Sequence, residues 1–194
     1  MKNIDIFVKE NEDKVVPFVW INGSENEVSV NARLIGEGAN LKIVGIFLGT
    51  DNSSIIFNTN VVHEAPNTKS LTSIRGVFRN HASFINDGMV RINKGAKNAD
   101  GYFASKILLF DNAKGRSVPS LEIDENELKA GNASTVGRPD ENQLFYLRSR
   151  GLTEKEATEL IIQGFFDPVL AFLPSAIQGS TKKKITAATK LNLL

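Results

Sequence analysis

The chain has 194 residues, 41% of them hydrophobic and 23% charged, with two histidines, no cysteine and a formal net charge of +1. That length is enough to bury a core, and the apolar fraction excludes wholesale disorder. The missing cysteines exclude disulfides, thiolate metal or cluster ligation and cysteine nucleophiles, and the near-zero net charge gives no general argument for nucleic acid as a partner. No apolar run reaches the roughly 18 to 20 residues of a membrane-spanning helix. The N-terminus alternates charge and apolarity, unlike a signal peptide. Together these lead to an expectation of a cytoplasmic protein.

In chain order, residues 1–24 supply one strand or a lead-in, with an edge strand at Phe18-Val19-Trp20-Ile21 and a turn at Asn22-Gly23. Residues 27–35 then alternate cleanly. Val28, Val30, Ala32 and Leu34 fall on one face, and Glu27, Ser29, Asn31 and Arg33 on the other, the period of a half-buried strand. Leu41, Ile43 and Phe47 continue that period, and further strands are expected over 55–61, 70–79, 82–93, 101–110 and 121–128. Asn and Gly punctuate the runs; the nineteen asparagines suit a chain that turns a corner every several residues, because Asn and Gly tolerate left-handed backbone angles. Asp87-Gly88 and Asp100-Gly101 read as further hairpin signals. Many short strands with such turns fit either an antiparallel sandwich or barrel or a stacked β-solenoid. The recurring Gly-Ala corners at Gly38-Ala39 and Gly95-Ala96 lean towards the solenoid.

After residue 138 the period changes to that of helices. Asp140 is an N-cap candidate for a helix over 141–149, with Gly151 as its stop. Thr153 and Glu156 form a capping box for a second helix, and Ala157, Leu160, Ile161, Gly164 and Phe165 follow at amphipathic spacing. Asp167-Pro168 offers a third start leading into 169–173. The chain therefore divides into a β body over 1–138, a helical subdomain over 139–175 and a basic tail over 176–194. That tail carries Lys182, Lys183, Lys184 and Lys190 without an acid and reads as a solvated terminus.

Chemistry-bearing residues are sparse. His63 and His81 follow no metal-ligand spacing and are weak metal candidates, with structural roles the simpler reading. Glu122, Asp124, Glu125 and Glu127 alternate along a strand and turn. Clustered acids on a solenoid raise the alternative of a carbohydrate-cleaving enzyme, against which a solvated strand face is the plainer account. No G-x-S-x-G, H-E-x-x-H, Walker A or G-x-G-x-x-G motif is present.

Several phrases have a more specific likeness. Pro119-Ser120-Leu121-Glu122-Ile123 is followed by residues 129–137, then by Leu144-Phe145-Tyr146-Leu147-Arg148-Ser149-Arg150-Gly151-Leu152, and finally by Glu156-Ala157 and Gly164-Phe165. Upstream, His63, Ala65-Pro66-Asn67-Thr68 and Ser70 join the pattern. This arrangement resembles the C-terminal core of the SufB/SufD family, scaffold proteins of Suf iron–sulfur cluster assembly, over roughly residues 27–173. The resemblance implies a mainly β protein, a right-handed parallel β-helix followed by two or three short C-terminal helices, and a role that is not enzymatic. It implies two partners: an ABC-type ATPase docked on the C-terminal helices, and a second SufB/SufD-like subunit, the same or different, paired edge to edge through the β-helix. By that likeness Leu144, Phe145, Tyr146, Arg148, Arg150 and Phe165 are candidates for the ATPase-facing or helix-packing surface. Two departures stand out. The chain is too short to hold the family's helical N-terminal domain. In addition, Ala130 and Asn132 stand where SufD-like members carry a Cys and a His. The expectation is a scaffold that binds no cofactor itself and meets the cluster only through its pathway. Alternatives are iron delivery through His63, His81 or carboxylates, and a degenerate paralogue.

Overall fold

The computed structural model describes residues 2–191. Ten strands come first: β1 (Lys2–Val8), β2 (Asp13–Ile21), β3 (Glu27–Leu34), β4 (Asn40–Gly49), β5 (Ser54–His63), β6 (Lys69–Phe78), β7 (Ser83–Ile92), β8 (Ala99–Leu109), β9 (Lys114–Ile123) and β10 (Leu128–Gly137). Three helices follow: α1 (Glu141–Ser149), α2 (Glu154–Leu170) and α3 (Ser175–Leu191). The odd strands form one parallel sheet in the order β1-β3-β5-β7-β9, and the even strands form the other in the order β10-β8-β6-β4-β2. Each consecutive pair of strands is one coil of a β-solenoid, and there are five coils. Every strand bonds to the strand one coil away, which decides for the solenoid over the antiparallel sandwich or barrel.

The corners explain how the chain repeats. Asn11, Gly38, Asn67 and Asn98 take positive φ at the corners of the first four coils, with Gly95 joining Asn98 in the fourth, and Asn22, Asp51, Asn80 and Asp111 do the same at the other end of the sheets. Asn and Asp tolerate this left-handed conformation because a short polar side chain can bond locally. Asn98 donates to Asn67, and Asn67 donates to Glu37, so the first stack is joined along its length. Two of the expected hairpin signals have another cause. Gly88 and Gly101 lie within β7 and β8, and they are glycines because of packing. A Cβ on Gly88 would sit 2.1 Å from the buried Phe103 ring, and one on Gly101 would sit 2.7 Å from Val90.

Alternate residues of each strand point between the sheets. Leu34, Leu41, Ile43, Phe47, Ile55, Phe57, Ile74, Phe78, Phe84 and Phe103 are fully buried there. Phe47 meets Phe57 at 4.8 Å and Phe84 at 5.2 Å, tilted pairs of the kind aromatic quadrupoles favour. β4 is unusual in that both its faces are buried. Its outward Val44, Ile46 and Leu48 form a second core with Val77, Ile162, Phe166, Val169, Leu170, Leu173 and Ile185. The helices therefore make a third layer over the β2–β4–β6 part of the even-strand sheet.

Four sequence expectations change. Residues 2–21 form a complete coil, β1 and β2, where one strand or a lead-in was expected. The single strand expected over 121–128 is instead the end of β9, a corner, and the start of β10. The third helix does not start at Asp167-Pro168, because α2 runs through Pro168 to Leu170. Pro168 cannot donate to the Gly164 carbonyl four residues back, and α2 continues without that bond. Finally, the basic tail is largely helical. α3 buries Thr181, Ile185 and Thr189, and Lys182 pairs with Asp167 at 2.8 Å. Spacing of four residues along an amphipathic face was present there; the lysines between obscured it. Among the described residues, no helix is long and apolar enough to cross a membrane.

Candidate functional site

His63 closes β5 and is buried. The Thr68 hydroxyl donates to the Ala65 carbonyl at 3.0 Å, which leaves its oxygen to accept from His63 Nδ1–H at 2.8 Å. Nε2 is then the acceptor, and the Ser70 hydroxyl donates to it, also at 2.8 Å. Both ring nitrogens are thus spent within the core. Burial lowers the imidazole pKa to about 4, with the Asp100 charge acting weakly the other way. His81 is exposed at the corner before β7, where its backbone N–H donates to the Asp51 carbonyl. β5 separates the two histidines by roughly 30 Å, so they share no site. Among the described residues, no three His, Asp or Glu side chains lie together as a metal site.

Three acids of the run, Glu122, Glu125 and Glu127, are held in contacts within or between coils. Glu122 meets Arg91 at 2.5 Å and Glu127 meets Lys97 at 3.2 Å. Glu125 accepts from the backbone N–H groups of Asn126, Gly95 and Glu127, which hold its carboxyl below the usual range. This is the solvated, paired strand face, without an acid pair free for glycoside chemistry.

The last coil is different from the others. The Asn98 N–H donates to the Glu127 carbonyl, and Ala99 stands opposite Leu128, so the odd residues of β10 bond to β8. The backbone groups of Leu128, Ala130, Asn132, Ser134 and Val136 therefore face an open edge. Their side chains turn inwards: Leu128, Ala130 and Val136 pack on the core, whereas Asn132 and Ser134 are exposed at the solenoid's open end. Across from them on β9, Leu121 and Ile123 have inward parity yet are 37% and 44% exposed. The C-terminal end of the solenoid is thus an apolar mouth beside an unpaired strand. Sequence reasoning named Leu121 and Ile123 within the family phrase, not as site residues. The available signal was Pro119, since a proline inside a strand marks a sheet edge.

The six helix candidates separate into two groups. Phe145 and Tyr146 are 74% and 56% exposed on α1, which buries no residue at all. Arg150 lies over the Tyr146 ring at 5.2 Å, and Arg148 pairs loosely with Glu154 at 3.8 Å. Leu144 is half-buried. Phe165 points the other way: Arg75 of β6 stacks on its ring at 5.0 Å, donates to its carbonyl at 2.6 Å, and so fastens α2 to the sheet. Between α1, α2 and β8 runs a cleft of about 640 Å³ lined by Leu108, Pro139, Tyr146, Leu147, Leu160 and Phe165 among others.

The family model described as SUF system FeS cluster assembly, SufBD core domain, matches residues 15–165, from β2 to α2. The chain belongs to the SufBD core family. It is 34% identical over 172 residues to the iron–sulfur cluster assembly protein SufD of Bacillus subtilis, covering 86% of this chain and 39% of that protein. It is 30% identical over 186 residues to an iron–sulfur cluster assembly SufBD family protein of Mycobacterium bovis, covering 90% of this chain and 46% of that protein. A further such protein from Staphylococcus epidermidis is 30% identical over 173 residues, covering 87% and 36%. The chain thus spans less than half the length of these SufBD relatives.

Proposed function

We propose that this SufBD-type chain is a scaffold subunit for iron–sulfur cluster assembly. It pairs with a second SufBD-like solenoid through β10 and presents α1 and the adjoining cleft to an ABC-type ATPase. The observation that carries the pairing is the last coil. β10 is a ten-residue edge strand with Lys129 as its one charged residue, lying beside the exposed Leu121 and Ile123. An edge of this kind is a template for strand addition unless it is covered. Docking on the helices is supported by Phe145 and Tyr146, large side chains held out on a helix with no buried residue of its own. Aromatic side chains so displayed beside an apolar cleft are the usual anchors of an interface.

The chain handles the cluster as cargo of the assembly and does not ligate it. Ala130 offers a methyl group and Asn132 an amide, both poor iron ligands beside thiolate or imidazole, and the sequence has no cysteine to take their place. Iron delivery through His63 has little support, because both its nitrogens are already bonded in the core.

Asn132→Pro tests the pairing. It deletes one donor on the open edge of β10 and leaves the ladder to β8 intact. The variant is expected to sediment as a single chain at concentrations where the wild type is paired, with an unchanged far-ultraviolet spectrum. An Asn132→Pro protein that still pairs would remove β10 from the interface.

A further inference from the structure

Among the described residues the solenoid has four strand edges, two at each end: β1 and β2 at the start, β9 and β10 at the finish. The direction of the backbone groups can be read along each. On β2, the Asn22 N–H donates to Leu48 and the Glu12 carbonyl accepts from Asn40, with unbroken register between them. Even residues therefore face β4, and Asp13, Val15, Pro17, Val19 and Ile21 face the open edge. On β9, Lys114 donates to Ala82 and Asp124 to Ile92, again in unbroken register. Even residues face β7, and Gly115, Ser117, Pro119, Leu121 and Ile123 face outwards. On β1, the Val8 carbonyl accepts from Ile35, so Asn3, Asp5 and Phe7 face outwards.

Both strand prolines thus stand on open edges, and each stands in the middle of its strand. There the ring removes the central donor and projects into the space an added strand would fill. The third closed edge, β1, is short and has a carboxylate, Asp5, at its centre. Only β10 has neither proline nor charge at its centre. β2 is where blocking matters most, because Val15 and Val19 flank Pro17 and are 39% and 38% exposed. Without the proline, residues 15–21 of β2 would be an unbroken apolar edge.

We propose that Pro17 and Pro119 confine strand pairing to β10, so that the chain joins one other solenoid and does not stack further copies of itself onto its remaining edges. The inference rests on the pairing proposed above for β10, but it concerns the other edges. The partner excluded by Pro17 is a second copy of this chain, which would add its own β2 to form one continuous sheet.

Pro17→Val and Pro119→Val test this by sedimentation velocity over a wide concentration range. Pro17→Val restores a donor on an edge that makes no other use of that position, and Pro119→Val serves if the first variant is poorly folded. Pro17→Val is expected to form species larger than any in the wild type, increasing with concentration. The effect should persist with Asn132→Pro added, giving pairs through β2 alone. Should the wild type prove to be a single chain, the β10 pairing fails, yet Pro17→Val must still self-associate for the confinement to stand. Folded Pro17→Val and Pro119→Val proteins that sediment like the wild type at every concentration would overturn it.

Discussion

Phe166→Ala is expected to lower the unfolding free energy by about 3–5 kcal/mol, the cost of emptying a fully buried aromatic site. Phe166 is 0% exposed and sits in the second core, where α2 meets the outward face of β4 and β6. Its ring also meets Phe165 edge-on at 5.5 Å. The loss should fall unevenly. Amide hydrogens of α2 and α3 should exchange faster, whereas those of β5 and β7, buried in the other core, should stay protected. Urea unfolding with hydrogen exchange checks both parts. A loss below about 1 kcal/mol would mean that the helical layer is not held by this core.

Acidification should cost the wild type about 3 kcal/mol more than it costs His63→Gln between pH 7 and pH 4. The folded-state pKa of His63 is lowered from 6.5 to about 4 by burial. Between those values the unfolded chain binds a proton that the folded chain refuses. The stabilisation is therefore complete above pH 6.5 and is lost as pH falls through 4. Glu12, Glu125 and Glu156 add to the acid sensitivity, because backbone N–H groups of Lys9, Asn126 and Thr153 respectively hold their carboxyls low. They are present in both proteins, so the difference isolates the imidazole. Urea midpoints of the two proteins across this range give the result, and equal pH slopes would contradict it.

The strands of the body were legible because alternation survives wherever one face is buried and the other is wet: β3 shows it most clearly. β4 was legible in position but not in role. Its run Ile43-Val44-Gly45-Ile46-Phe47-Leu48 is apolar on both faces, and only the docked helices explain the outward half. The coil repeat was hidden by its looseness. Register partners lie 26 residues apart at Asp5 and Asn31 but 31 apart at Asn67 and Asn98, so no fixed period emerges. The residues that do recur are the left-handed corner positions, Asn22, Asp51, Asn80 and Asp111, and a search for Asn, Asp or Gly at that spacing would have found the solenoid. The cap of α2 was legible in detail, whereas Asp140 caps α1 by accepting from the Asn142 N–H, without the capping box to Gln143 that the spacing suggested. The Thr153 hydroxyl accepts from the Glu156 N–H at 3.2 Å, while the Glu156 carboxylate accepts from the Thr153 N–H at 2.8 Å. What the sequence could not separate were the neighbours Phe145 and Phe165. Both lie in apolar helical runs, and only the position of Arg75, ninety residues away, tells which one faces the sheet.

Native mass spectrometry of the chain mixed with an ABC-type ATPase of iron–sulfur assembly tests the proposed scaffold role most directly. The wild type should give an assembly containing two SufBD-type chains and the ATPase. Asn132→Pro should give one chain with the ATPase, and Phe145→Ala with Tyr146→Ala should give two chains without it. An ATPase that binds neither the wild type nor any variant, or that binds the Phe145→Ala, Tyr146→Ala protein as well as the wild type, would contradict the account.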